Sequence, residues 1–135
     1  MPLDVAALQA VPLFASLSEK ELRKLLPLFH ERSFKAGDVI AQEGAQGVGF
    51  FVIEAGRAKV TVRQEERTSL GPGSYFGEVA ALDPGPRVAT VTADTDLKAY
   101  VLEAWDFRPL VKSDAVLASG IIEGLIRIVR RTEGY

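Results

Sequence analysis

The spacing of apolar residues along the chain changes period twice. Up to about residue 29, Leu22, Leu25, Leu26 and Phe29 recur at helical intervals behind Ser18, which stands three residues before Glu21 as in a capping box. Pro27 interrupts that pattern and predicts a kinked or tightened last turn. Leu13, Phe14 and Leu17 are placed on the same core, and His30, following the helix, is expected to cap it or meet solvent. From about residue 31 to residue 102 the pattern shortens. Glycines at 37, 44, 47, 49, 56, 71, 73, 77 and 85 mark off short runs at 38–41, 50–54, 58–63, 68–70, 88–93 and 98–102. Val60 and Val62 alternate with Thr61 and Arg63, and Val91 sits between Thr90 and Thr92, as in half-buried strands. Helical spacing returns after about residue 104 through Leu117, Ile121, Ile122, Leu125, Ile128 and Val129, closing on Arg127, Arg130 and Arg131. Gly120 and Gly124 weaken this helix by about 1 kcal/mol each relative to Ala. Their spacing permits close helix approach, but they are read first as tolerated inside a helix held by tertiary packing, and Trp105 and Phe107 as core anchors where the last helices dock.

Many short strands with Gly/Pro turns between two helical zones predict a mainly β fold with flanking α, a small barrel or jelly roll in one domain spanning 1–135. Its parts are N-terminal helices over 1–30, the β zone over 31–103 and C-terminal helices over 104–135. At 135 residues, 47% apolar and 25% charged, the chain can bury one core and is not disordered. Sixteen Lys plus Arg against 18 Asp plus Glu leave a net charge of −2, so no diffuse basic field holds nucleic acid. The absence of Cys excludes disulfides and thiolate chemistry, and a single His excludes multi-histidine metal sites, so an enzyme built on such a site is not expected. The first ten residues carry Asp4 and no basic residue, unlike a signal peptide. The late apolar stretch is broken by Ser119, Gly120, Glu123, Gly124 and Arg127, unlike a membrane span. A soluble, cytoplasmic protein with no membrane partner is the expectation.

One segment breaks the strand rhythm. Residues 76–82, Phe76 through Leu82, form a short helix-compatible run around Gly77, and amides at a helix start reached through a glycine can receive an anion. Nine residues after Glu78 stands Arg87, set before a strand by Pro84, Gly85 and Pro86, where a guanidinium can clamp a phosphate. Glu78 would repel that phosphate and is better read as a hydroxyl acceptor, the role an acid plays on a ribose.

Phe76-Gly77-Glu78-Val79-Ala80 followed by Pro86-Arg87-Val88-Ala89-Thr90 resembles the phosphate-binding cassette of cyclic-nucleotide-binding domains. These are the sensor modules of cAMP-dependent kinase regulatory subunits, cyclic-nucleotide-gated channels and catabolite-activator-type regulators. Three upstream stretches resemble the family in register with the cassette: Val11-Pro12-Leu13-Phe14-Ala15-Ser16-Leu17-Ser18, Phe34-Lys35-Ala36-Gly37-Asp38-Val39-Ile40 with Glu43-Gly44, and Phe51-Val52-Ile53-Glu54-Ala55-Gly56-Arg57-Ala58.

The resemblance implies a helix–β-roll–helix domain with its cassette at 76–90 and a non-catalytic role in sensing a cyclic nucleotide. Glu78 would accept from the ribose 2′-OH and Arg87 would pair with the cyclic phosphate. Amides around Gly77, Val79, Ala80 and Ala89 would complete the anion site, with Val60, Val62, Leu70 and Phe76 as apolar walls. Val88 occupies a position that is often Thr in cGMP-selective relatives, which favours cAMP over cGMP. Relatives often cap the base with an aromatic from a C-terminal helix. Residues 114–131 contain none and Tyr135 stands at the extreme end, so the lid is aliphatic, comes from a partner subunit or is missing. The family's output modules do not fit into the four residues after Arg131, so no DNA contact is expected here. The partners implied are a cyclic nucleotide, an effector protein and a second copy paired through the apolar C-terminal helix. The competing reading is a scaffold that keeps the fold and oligomerises without nucleotide.

Overall fold

The computed structural model describes residues 3–47 and 49–133. Helix α1 (Val5–Gln9) is capped by Asp4, whose carboxylate accepts from the Ala7 amide at 2.8 Å. A 3₁₀ turn at Pro12–Phe14 leads to α2 (Glu19–Leu25), which starts at the Ser18/Glu21 capping box. Pro27 falls in a second 3₁₀ turn, Leu26–Leu28, so the last turn tightens as its proline predicts.

Among the described residues ten strands follow: β1 (His30–Phe34), β2 (Val39–Ala41), β3 (Gln46–Gly47), β4 (Gly49–Ala55), β5 (Ala58–Val62), β6 (Glu65–Leu70), β7 (Tyr75–Phe76), β8 (Gly85–Pro86), β9 (Thr90–Ala93) and β10 (Leu97–Glu103). All pairs are antiparallel. One sheet runs β1-β10-β4-β7, a second β2-β9-β5-β6, and β3 pairs with β8 alone. Helix α3 (Glu78–Leu82) lies between β7 and β8, and α4 (Ala104–Ser113) and α5 (Ala115–Glu133) close the described chain. This is the expected β-roll with helices on both ends of the sequence. Among the described residues no helix is long and apolar enough to cross a membrane.

The continuous apolar run of β4 has a simple cause. Phe50 and Val52 face a core shared with the helices, together with Leu8, Leu13, Phe14, Leu22, Leu25, Leu102, Phe107, Leu117 and Ile121. Phe51 and Ile53 point the other way, into the roll interior with Ala58, Val91, Ala93, Leu97, Ala99 and Val101. A strand covered on both faces needs apolar residues at every position, not at alternate ones. Phe14 sits edge-on to Phe50 and Phe107 with centroids 5.5 and 6.1 Å away, joining the N-terminal turn, sheet and α4.

Four expectations change. Phe76 belongs to strand β7, and the helix starts only at Glu78, because Gly77 takes a left-handed conformation (φ +82°) that reverses the chain between them. Trp105 is not a core anchor: it is 60% exposed on the outer side of α4, while Phe107 is fully buried. Gly120 and Gly124 are contact residues. A Cβ on Gly120 would lie 2.5 Å from Leu17 Cδ2, and one on Gly124 only 2.3 Å from the Leu13 carbonyl oxygen. The absence of side chains lets α5 pack directly on the Pro12–Phe14 turn. Finally, β1 escaped the apolar pattern because His30 through Ser33 are polar and exposed; His30, which opens the strand, meets solvent as expected, with Nε2 3.4 Å from Asp106.

Asp114 breaks the path between α4 and α5 in an extended conformation and caps α5 by accepting from the Leu117 amide at 3.1 Å. Its carboxylate also pairs with Lys24 of α2 at 2.5 Å, which holds it below the usual carboxylate range. The N- and C-terminal helices are thereby tied to each other as well as to the sheet.

Candidate functional site

The cassette is positioned by short ladders at both ends. Phe51 of β4 registers with Phe76 of β7, their rings stacked at 4.8 Å, and the next residue is the left-handed Gly77 that aims α3 away from the sheet. At the other end β8 pairs with β3, Gln46 opposite Pro86 and Gly47 opposite Gly85. The Arg87 amide donates to Ala45 O, and Arg87 O accepts from the Gly44 amide, both at 2.8 Å. Thr90 fastens the exit: its hydroxyl accepts from the Glu43 amide at 2.9 Å. The backbone of Arg87 therefore has little freedom.

Between these ladders lies an open cavity of about 340 Å³ lined by Gly77, Glu78, Val79, Ala80, Asp83, Gly85, Pro86, Arg87 and Val88. Six expected site residues, Gly77, Glu78, Val79, Ala80, Arg87 and Val88, thus share one concave surface. The rest stand off it. Phe76, Val60 and Leu70 pack together against the roll-interior core, Val62 is half-buried on β5, and Ala89 precedes β9 without lining the cavity. The Ala80 amide already donates to Gly77 O at 3.0 Å. Val79 and Val88 project as apolar rims, 54% and 85% exposed. Tyr135, the aromatic set aside above for its terminal position, lies outside the described residues.

Three charged groups line this cavity, Glu78, Asp83 and Arg87, and among the described residues none of them is in an ion pair. Arg87 runs between glycine backbones, donating from Nη2 to Gly49 O at 2.9 Å, and among the described residues no carboxylate pairs with it. Burial of the guanidinium lowers its pKa. Its Cζ lies 5.9 Å from both the Phe51 and the Phe76 centroids. Glu78 Oε2 is buried with no hydrogen-bond partner, and burial raises its carboxyl pKa. Tyr75, half-buried nearby, has a phenol raised first by burial and then by the Glu78 charge, with Arg131 of α5 opposing. A lone guanidinium and an orphaned carboxylate on one concavity are costly unless a ligand brings an anion to the first and a hydroxyl donor to the second.

Residues 31–114 match the family model described as cyclic nucleotide-binding domain. The chain belongs to this family. As a cyclic nucleotide-binding domain, it is similar to the cAMP-dependent protein kinase regulatory subunit of Hypocrea atroviridis, 35% identical over 123 residues that make up 91% of this chain and 25% of that protein. The type II regulatory subunit of Drosophila melanogaster is 31% identical over 125 residues, 93% of this chain and 33% of that protein. The domain spans a quarter to a third of the length of these relatives. Among solved structures, the N-terminal domain of a transcriptional regulator from Streptomyces coelicolor A3(2) matches with a TM-score of 0.84 at 28% identity, covering 95% of this chain and 93% of that one. The regulatory domain of Toxoplasma gondii PKA, crystallised with cAMP, matches with a TM-score of 0.69 at 30% identity, covering 78% of this chain and 42% of that one.

Sequence reading singled out the two charged residues and Gly77 beside them, though it ran the helix back to Phe76. It missed Gly47 and Gly49, which flank the Arg87 side chain, and the Glu43–Thr90 tie. Gly47 and Gly49 had registered only as turn punctuation, since nothing local marks a glycine whose neighbour lies some forty residues on.

Proposed function

We propose that the domain is a non-catalytic sensor of a cyclic nucleotide, with cAMP as its ligand, that signals through rearrangement of its terminal helices. The single observation that carries this reading is the unpaired Arg87 guanidinium on the same cavity as the orphaned Glu78 carboxylate. A cyclic phosphate supplies one negative charge for the first, and the adjoining ribose 2′-OH a donor for the second. Two similar solved structures, PfPKA-R and the Toxoplasma gondii PKA regulatory domain, hold cAMP, which supports this ligand class. Val88 offers no hydroxyl to a guanine amine, which favours cAMP over cGMP.

The output side rests on contact and exposure. Helix α3 packs on α4, and α4 on α5, so a ligand that shifts α3 also bears on the C-terminal helices. Outward-facing Ile122, Ile126 and Val129 form an apolar stripe on α5, suited to a second copy or to an effector protein.

Isothermal titration of the chain with cAMP, cGMP and AMP tests the ligand. One-to-one binding of cAMP, tighter than cGMP and far tighter than AMP, is the expected result; no binding of either cyclic nucleotide removes the sensor reading and leaves the scaffold. Hydrogen exchange across residues 104–131 tests the output, and ligand-independent exchange there overturns it. Sedimentation with and without Ile126→Glu tests the self-pairing.

A further inference from the structure

Arg87 threads a channel whose walls are glycines. A Cβ built on Gly47 would fall 2.2 Å from Arg87 Nε, 2.6 Å from Cδ and 2.7 Å from Cζ. On the opposite wall, a Cβ on Gly77 would fall 2.3 Å from Nη1. Gly77 needs its glycine for a left-handed backbone in any case, but Gly47 has no positive φ. Its φ does not call for glycine, and the three nearest atoms a Cβ would meet all belong to the Arg87 side chain.

We propose that Gly47 is a positioning residue of the ligand site: its missing side chain keeps open the path along which the Arg87 guanidinium reaches Gly49 O and the cavity. This inference rests on the reading of Arg87 as the phosphate partner. The backbone of Arg87 is fixed by its bonds to Gly44 and Ala45, so a methyl group at residue 47 must be accommodated by the side chain. Room exists for that. Arg87 also walls a second cavity of about 190 Å³, lined in addition by Arg32, Gln42, Gln46 and Glu103, into which the guanidinium can retreat. The fold therefore tolerates the substitution while the guanidinium loses its place. A charged hydrogen bond lost or misaligned in this way weakens binding on the order of ten- to a hundredfold.

The test is Gly47→Ala in the whole chain, read three ways: cAMP affinity by titration, ligand-free melting temperature, and the NMR position of the Arg87 Nε–H in the empty protein. The expected result is a ten- to hundredfold weaker affinity, a melting temperature within about 3 °C of wild type (under ~1 kcal/mol for a domain of this size) and a displaced Nε–H resonance. Affinity within threefold of wild type overturns the proposal. So does an unmoved Nε–H signal, or a variant that fails to fold, which would make Gly47 a structural glycine. If wild-type protein binds no cyclic nucleotide, the ligand reading fails separately, and the Nε–H resonance alone decides whether Gly47 places Arg87.

Discussion

Replacing Arg87 by Ala should separate ligand binding from stability. In the folded domain the guanidinium donates one hydrogen bond, to Gly49 O, and makes no ion pair among the described residues. Losing a bond from a charged donor costs about 1.5–3 kcal/mol. Against that, the variant no longer holds a half-buried charge without a counter-ion, a burden of the same order. The two offset, so ligand-free stability should change by no more than about 1 kcal/mol, roughly 3–5 °C in melting temperature for this chain length. Binding should respond very differently. Truncating one side of a buried charge pair costs about 2–5 kcal/mol, roughly 30- to several-thousand-fold in affinity.

Thermal shift reports both quantities in one experiment. With cAMP at 100 times the wild-type dissociation constant, the wild type gains about 2.7 kcal/mol. At that same concentration a variant weakened thirtyfold gains only about 0.9 kcal/mol, and one weakened a thousandfold gains less than about 0.1 kcal/mol. A large wild-type shift beside a nearly flat variant is the expected pair of curves. A variant whose shift matches wild type would refute the role of Arg87 as the phosphate partner. A variant that melts more than 10 °C lower without ligand would show that the guanidinium holds the fold together, contrary to the reasoning from its single bond.

Three further outcomes follow from the same geometry. Because burial raises the Glu78 pKa above its unfolded value, the folded state binds the proton more tightly, and this group's contribution falls as pH rises from the ordinary carboxyl range through the raised value. Glu78→Gln should flatten that slope in urea titrations while weakening cAMP roughly ten- to a hundredfold; wild-type affinity should itself fall as acid protonates Glu78. Val88→Thr should move preference toward cGMP by roughly two- to tenfold in competition binding, the value of one neutral hydrogen bond. Gly124→Ala should lower the melting temperature, because overpacking against the Leu13 backbone costs about 1–3 kcal/mol and outweighs the ~1 kcal/mol gained in helix propensity; a raised melting temperature would mean α5 does not rest on the Pro12–Phe14 turn.

Local order was largely written in the chain. The Ser18/Glu21 box started α2 and Pro27 tightened its end, because a cap and a missing amide act within one turn. The alternation around Val91 gave β9, whose two faces meet different surroundings. Glu78 and Arg87 were singled out by the resemblance of their two stretches to the phosphate-binding cassette; alone, the first reads as a solvated helix residue and the second as half of a surface ion pair.

What required the tertiary structure was everything set by distance across the fold. Strand β1 is exposed and carries no apolar alternation, so only its pairing with β10 defines it. Trp105 and Phe107, two residues apart on one short helix, met opposite fates because α4 lays only one side on the core. Gly120 and Gly124 looked like weak points of a helix until the fold brought Leu17 and Leu13 against them. Gly47 likewise looked like punctuation, yet it borders the side chain of a residue forty positions away. Propensity and periodicity act between neighbours in sequence, whereas close approach and desolvation depend on which distant segments a packed core forces together.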